Sequence, residues 1–373
     1  MKLTKIAFGV ALAAGTMAAQ ADSIFFPYVV NGGSVTTIVH VIDSATGAAD
    51  YYDASGNPGG NRLHYTLVNK SGANATSNSA TCGEVNYYLP HSPFDLQSID
   101  LGGRFSVAAD KGVLFNDPGV NNNWKPAVSG ALTYAMAQAA GGGSAVRGHL
   151  IVDNARTGSA ASSISGEAMV FEFAGGAAWG YLASTIATDA AADDSAFEFD
   201  YSDVALSGVL SGATRVSVGQ VSFMPTAETT TRFFVTPLNR NAADAPAPTP
   251  GQNDSMHPIV SALYGQYTTQ VLMSTSTGVA YDRDENLVSG TVPVTVTCIG
   301  AVNVTDLLSP GAAVVLANGG WGQLMTQFPN NAAPTAAQPE RTRRAAVIKL
   351  DFNNGGTFNG QPASGTYNNA FRL

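Results

Sequence analysis

The amino-acid sequence predicts an all-β protein built as an antiparallel β-sandwich, with one or two short helices. Three observations carry this. Apolar residues recur at every second position along most of the chain, the period of a half-buried strand. Forty glycines, with abundant Ala, Ser, Thr and Asn, supply turns between short strands. Segments with helical periodicity are few and short. Charged residues make up 12% of the chain against 45% hydrophobic, so there is enough apolar side chain to form a packed core rather than a disordered coil.

Residues 1–21 read as a secretory signal. Lys2 and Lys5 precede the apolar run from Ile6 to Ala19, and Ala19 and Ala21 provide the small residues of a cleavage site ahead of Asp22. The mature chain is therefore expected in the periplasm, at the cell surface or outside the cell. No later stretch is long and uncharged enough to cross a membrane as a helix. A net charge of -9 repels phosphate backbones and removes nucleic acid from the expected partners.

The mature chain opens with SIFFPYVV, read as a strand. In SVTTIVHVID the face of Val35, Val39 and Val41 alternates with that of Ile38 and Ile42, which predicts a central strand covered on both sides. Leu63, Tyr65 and Leu67 share a face in RLHYTLVNK, as do Val85, Tyr87 and Leu89 in GEVNYYLP. Further strands are read at 148–155, 167–173, 196–202, 214–225 and 229–239. Within 214–225 the apolar phase moves from Val216 and Val218 to Val221 and Phe223 across Gly219, which predicts a β-bulge. The PTAE turn that follows predicts a hairpin with 229–239. TTQVLMST, GTVPVTVTCIG and AAVIKLDF complete the series.

Helical signals are confined to 130–143 and 258–267. The Pro-rich stretch 241–257 reads as a linker or long loop between a β-sandwich region, 22–240, and a second β region, 258–373. A chain this long exceeds the usual single core of ~250–300 residues, which favours two domains. One interleaved domain spanning 22–373 is the alternative. Two short echoes run through the chain, TCGEVN with TCIGAVN and GGAAWGYL with GGWGQL. They fit either a duplicated β-unit or chance in a chain of such biased composition.

Cys82 and Cys298 lie in the first pair of echoes. Export favours a disulfide between them, and closing so long a loop is worth about 5 kcal/mol in the chain-entropy account. Cys298 shares the face of Val294 and Val296 and is expected in a core, whereas Cys82 is out of phase with Val85, Tyr87 and Leu89.

The opening SIFFPYVVNGGSVTTIVHVID, followed by LHYTLVNK and a cysteine, resembles a broad set of exported bacterial proteins that begin with a Phe-Pro-aromatic strand. The resemblance implies an immunoglobulin-like sandwich; the fold class read from the strands also admits a jelly-roll-like one. It attaches no activity.

The signatures of zinc proteases, serine hydrolases, P-loop proteins and haem attachment are absent. His40, His64, His91, His149 and His257 are scattered; they read as histidines in or beside a core, or as a metal site shared by adjacent strands. Glu198 and Asp200, opposite Phe197, Phe199 and Tyr201 and close to Asp203, fit a calcium site, a carboxylate pair for glycan hydrolysis, or the wet face of an edge strand. Asp282, Asp284 and Asn286 have the 1, 3, 5 spacing of a calcium loop, although Leu287 and Pro293 stand where an EF-hand needs Gly and Glu. Calcium is the one cofactor these residues point to. Trp124, Trp179 and Trp321 sit beside Asn or Gly turns, either as platforms that stack on sugars or as plugs at sheet ends. The basic run RTRR (341–344) reads as a solvated loop, or as a contact for an anionic surface polymer.

These readings favour a non-enzymatic, exported cell-envelope or extracellular structural or adhesive protein. Its expected partners are protein, through self-association, or glycan. In a sharper version the first strand is donated to a neighbour's sheet edge. The alternative is a secreted glycan-binding or glycan-hydrolysing protein using Glu198, Asp200 or Asp203. Strands apolar on both faces argue against an outer-membrane barrel.

Overall fold

The structure is a computed structural model that describes residues 23–43, 62–90, 96–102, 113–115, 145–153, 164–173, 177–186, 215–238, 267–273, 280–332, 335, 341–353, 357–358, 361–362 and 368–372. The signal at 1–21, the strand read at 196–202, the stretch 241–257 and the two expected helices, Tyr267 excepted, lie outside the described residues.

Strands whose two faces are both apolar generate a stack of four sheets. β1 (Ser23–Asn31) points Ile24, Phe26 and Val29 to one side and Phe25, Tyr28 and Val30 to the other, so the sheet that contains it is covered twice. In that sheet β1 lies between β10 (Ser184–Ile186) and β7 (Val146–Asp153), followed by β3 (Arg62–Ser71) and β4 (Gly83–Pro90). Its first face packs on Val39, Val41, Ile99 and Ala168 of an outer sheet. The outer sheet is ordered β6 (Val113–Phe115), β5 (Leu96–Asp100), β2 (Val35–Asp43), β8 (Ile164–Glu172), β9 (Ala177–Leu182).

The second face meets Phe234 and Leu238 of β12 (Thr229–Leu238) and Ala346, Ile348 and Leu350 of β19 (Arg344–Asn353). These strands are the centre of a third sheet, flanked by β17 (Gly300–Asn303) and β22 (Asn368–Arg372). Their alternate residues, Phe233, Val235, Ala345 and Val347, pack on a fourth sheet. It is ordered β15 (Leu287–Val288), β14 (Ala280–Asp282), β18 (Gly320–Gln327), β13 (Thr268–Met273), β16 (Val294–Thr297), with β11 (Arg215–Phe223) along the other edge of β18. Phe25, Phe26 and Phe233 are wholly buried, each contributing about 1.5–3 kcal/mol. A short helix α1 (Pro310–Val315) starts on a proline, with the Ser309 hydroxyl accepting from the Ala312 amide at 3.3 Å.

The all-β antiparallel sandwich is what the chain adopts, and several local expectations hold. The β11 register shifts between Ser217 and Gly219, where the bulge was read. Others need correcting. Arg215–Phe223 and Thr229–Leu238 do not form a hairpin: Pro225 to Glu228 carries the chain across a core, so β11 joins the fourth sheet and β12 the third. Strands up to Ile186 and strands from Arg215 onward fall in different sheets. β1 is hydrogen-bonded within its own sheet, to β7 along its length and to β10 over Ser23–Phe25. Pro27 has no amide to give, and the β1–β7 register shifts between Phe26 and Val29; the stranded Pro27 carbonyl accepts from the Thr236 hydroxyl of β12 at 2.6 Å. β2 is covered at Ile38 but open at Ile42, which is 45% exposed. In RTRR, Thr342 is buried and Arg344 begins β19, so the run is not simply a solvated loop.

The segment from Lys70 to Cys82 ties the two sandwiches together. Cys82 and Cys298 form a disulfide across a sequence separation of 216. Asn78 acts as a neighbour to the edge of β17, its side chain accepting from the Ala301 amide at 2.9 Å and donating to the Ala301 carbonyl at 3.1 Å. Gly300 has to be glycine there, because a Cβ would lie 2.6 Å from Asn78 Oδ1. Cys298 is buried as expected, but in a different core from Val296: β16 ends at Thr297 and the backbone turns left-handed at Cys298, with φ 62.

Candidate functional site

The phrase GGWGQL enters β18 where three strands converge. Trp321 is in register with Tyr281 of β14 on one side and Ser222 of β11 on the other. Side chains directly opposite in adjacent strands share a face, and here the Tyr281 and Trp321 rings stack with centroids 4.6 Å apart and planes 17° from parallel. Two glycines make this approach possible. A Cβ on Gly320 would meet the Tyr281 carbonyl at 2.3 Å, and Gly319 holds φ 91 with its Cβ position 2.8 Å from the Phe223 carbonyl. With Tyr281 behind it, Trp321 remains 38% exposed.

The ring opens onto a cleft of about 760 Å³ between the start of β18, the β11–β12 turn and the β14–β15 turn. Met224, Glu228, Asp282, Arg283 and Glu285 line it with Trp321. The two turns thus deliver three carboxylates and one guanidinium to an aromatic floor.

Asp282 shapes one wall. Its Oδ1 accepts from the Asp284 and Asn286 amides, both at 2.9 Å, and its Oδ2 from the Asn286 side-chain amide at 3.0 Å. These bonds, the Asn286 side chain foremost, hold the Asp282 carboxyl below its usual range, so it is anionic at neutral pH. The 1, 3, 5 spacing read as a calcium loop is therefore used to close a tight turn, in which Glu285 takes φ 64. No group of three or more His, Cys, Asp or Glu able to hold a metal occurs among the described residues.

The other residues singled out from the sequence separate. Trp179, expected as an equal of Trp321, is 7% exposed and belongs to the core. It stacks on Phe234 at 5.7 Å and on Tyr28 at 5.9 Å, and its indole N–H donates to Glu172 at 3.1 Å. It joins three sheets and is not available to stack on a ligand. Trp124, Glu198, Asp200 and Asp203 lie outside the described residues. His40 is half-buried with Nδ1 2.6 Å from the Ser98 hydroxyl, and burial lowers its pKa. His149 is buried, 5.6 Å from the Phe25 ring, with Nδ1 unpartnered. Tyr281, Met224 and Glu228 escape a reading of the sequence because only strand register and the chain's crossing at Pro225 bring them to Trp321.

Comparison with protein-family models, with curated proteins and with solved structures finds no match to this chain.

Proposed function

We propose that this chain is an exported, non-enzymatic β-protein of the cell envelope or extracellular space that binds glycan in the Trp321 cleft. The observation that carries this is the indole itself: a large aromatic ring held in place from behind by Tyr281, exposed on its cleft side and surrounded by polar groups. Sugars present a C–H face that stacks on such a ring and hydroxyls that bond to flanking carboxylates and amides. The disulfide between Cys82 and Cys298 supports an oxidising compartment, in keeping with the leader read at 1–21. Asp282 does not suit the general acid of a hydrolysis. A general acid needs a carboxyl whose pKa is raised, and the Asp282 carboxyl is lowered instead.

Titration of the mature protein with a panel of neutral and charged oligosaccharides, followed by tryptophan fluorescence and calorimetry, tests the reading. Binding lost in Trp321→Ala with the melting temperature preserved is the expected result. A panel without a single binder overturns it.

A further inference from the structure

The disulfide that joins the two sandwiches is fully buried at one end only. Cys298 is wholly enclosed, whereas Cys82 is partly buried and lies between Thr81 and Gly83, both exposed. A thiolate arriving from solvent therefore reaches the bridge from the Cys82 side and expels the Cys298 sulfur. The Lys70 ammonium is fixed at this place. It donates to the Thr297 carbonyl, one residue before Cys298, at 3.0 Å and to the Ala80 carbonyl, two residues before Cys82, at 3.1 Å. A cation beside a thiol favours the thiolate, and a thiol of lower pKa leaves faster. Cys298 also holds φ 62, a left-handed conformation unfavourable to a residue with a Cβ, so the bridged state carries backbone strain. One reachable sulfur, a fixed cation and local strain mark a bridge of the labile kind rather than an inert one.

Opening the bridge has a defined place to act. Between Gly72 and Cys82 the chain leaves the first sandwich and closes against the edge of β17. There the Asn78 side chain pairs with both backbone groups of Ala301, and the Asn78 carbonyl accepts from the Thr297 amide at 2.8 Å. Ala75 is the one fully buried residue of this segment, so little apolar contact holds it in place without the bridge. We infer that Cys82–Cys298 is a redox switch: a dithiol from solvent reduces it in the folded protein, and the 72–82 segment then releases β17 and uncouples the two sandwiches. The chemistry is a pair of exchanges. One thiolate of the reductant bonds to Cys82 Sγ, and the electron pair of the broken bond goes to Cys298 Sγ, which takes up a proton. The second thiolate of the reductant then displaces Cys82. The dithiol ends as a disulfide, and its two protons end on the two cysteines. The switch does not depend on the Trp321 cleft.

The test reduces the mature protein with dithiothreitol at pH 7, where Lys70, with its pKa of about 8, keeps its charge. Dithiol and urea are varied below the unfolding transition, and free thiols are counted by alkylation and mass spectrometry. The expected rate rises in proportion to dithiol and hardly changes with urea. A rate that levels off with dithiol, or that climbs with urea as the unfolded fraction does, means the bridge is reached only by unfolding and overturns the switch. Lys70→Met should slow reduction by about threefold to tenfold, even though it loosens the junction. Lys70→Arg, which keeps the charge, should restore most of the rate. Reduction of Lys70→Met as fast as the wild type or faster overturns the role of the cation. Reduced wild-type protein should keep the far-ultraviolet circular dichroism of a β-protein while gaining hydrogen exchange at the Ala301 amide and protease cleavage within 72–82. A reduced protein that unfolds outright, or whose segment stays protected, overturns the uncoupling.

Discussion

Lys70 and Thr297, 227 positions apart in the chain, meet where the ammonium of the first sandwich donates to the carbonyl that precedes Cys298, at 3.0 Å. The same ammonium donates to the Ser77 carbonyl at 2.6 Å and to the Ala80 carbonyl at 3.1 Å, so all three of its N–H groups are used. A charge is thus kept inside the junction, 3% exposed, by bonds reaching both sandwiches.

Replacing this lysine should loosen the junction. Lys70→Met leaves three carbonyls without their donor and is expected to cost about 1–3 kcal/mol near neutral pH. The pH dependence is the more specific readout. Burial, with a smaller contribution from the Arg147 charge, lowers the Lys70 pKa from its ordinary 10.5 to about 8. Between pH 8 and 10.5 the unfolded chain holds the proton that the folded one has released, so Lys70 makes stability rise with pH across that window. Urea unfolding at pH 7.5, 9 and 10 checks this: the wild type should gain on Lys70→Met as pH rises, and parallel curves would refute the assignment.

The disulfide should matter more than any single side chain. In the chain-entropy account a loop of this length contributes about 5 kcal/mol, and native disulfides typically contribute 2–5. Cys82→Ser with Cys298→Ser is expected to lower the urea midpoint by an amount in that range while keeping the far-ultraviolet circular dichroism of a β-protein. A reductant titration of the wild type should converge on the same midpoint.

His149 predicts an acid-labile term. Burial lowers its pKa from 6.5 to about 3, so the folded state stays neutral where the unfolded chain takes up a proton. Its contribution is whole above pH 6.5 and is lost as pH falls toward 3, by up to about 1.4 kcal/mol per pH unit. His149→Phe keeps a ring against Phe25 and removes the unpartnered Nδ1. The variant should match the wild type at pH 7 within about 1.5 kcal/mol and hold its stability better at pH 4.5. Chemical denaturation at the two pH values measures the difference.

The strands were readable because each carries its own alternation: Leu63, Tyr65 and Leu67 declare a buried face whatever lies opposite. The pairing of strands was not. A turn such as Pro225 to Glu228 has the same composition whether it closes a hairpin within one sheet or an arch between two, and the difference lies in what Val221 and Phe233 find across the core. At Cys298 a left-handed turn broke the phase that Val294 and Val296 had set.

The two glycine-tryptophan phrases show the same limit and give the most discriminating prediction. GGAAWGYL and GGWGQL deliver Trp179 and Trp321 from similar local sequence, yet one ring joins three sheets and the other floors a cleft. Trp179→Ala removes a buried ring packed against the stacked pair Tyr28 and Phe234 and takes from the Glu172 carboxylate the donor its indole supplied. Such a cavity is expected to cost about 3–5 kcal/mol. Trp321→Ala removes a ring already 38% exposed and backed by Tyr281, and should cost about 1 kcal/mol or less. The two should therefore separate on two axes: Trp179→Ala loses stability while its folded fraction retains glycan binding, and Trp321→Ala retains stability while losing binding. Thermal melts and oligosaccharide titration on both variants make the comparison. Equal losses of stability in the two would place Trp321 among the structural rings and remove the cleft's floor as a binding surface.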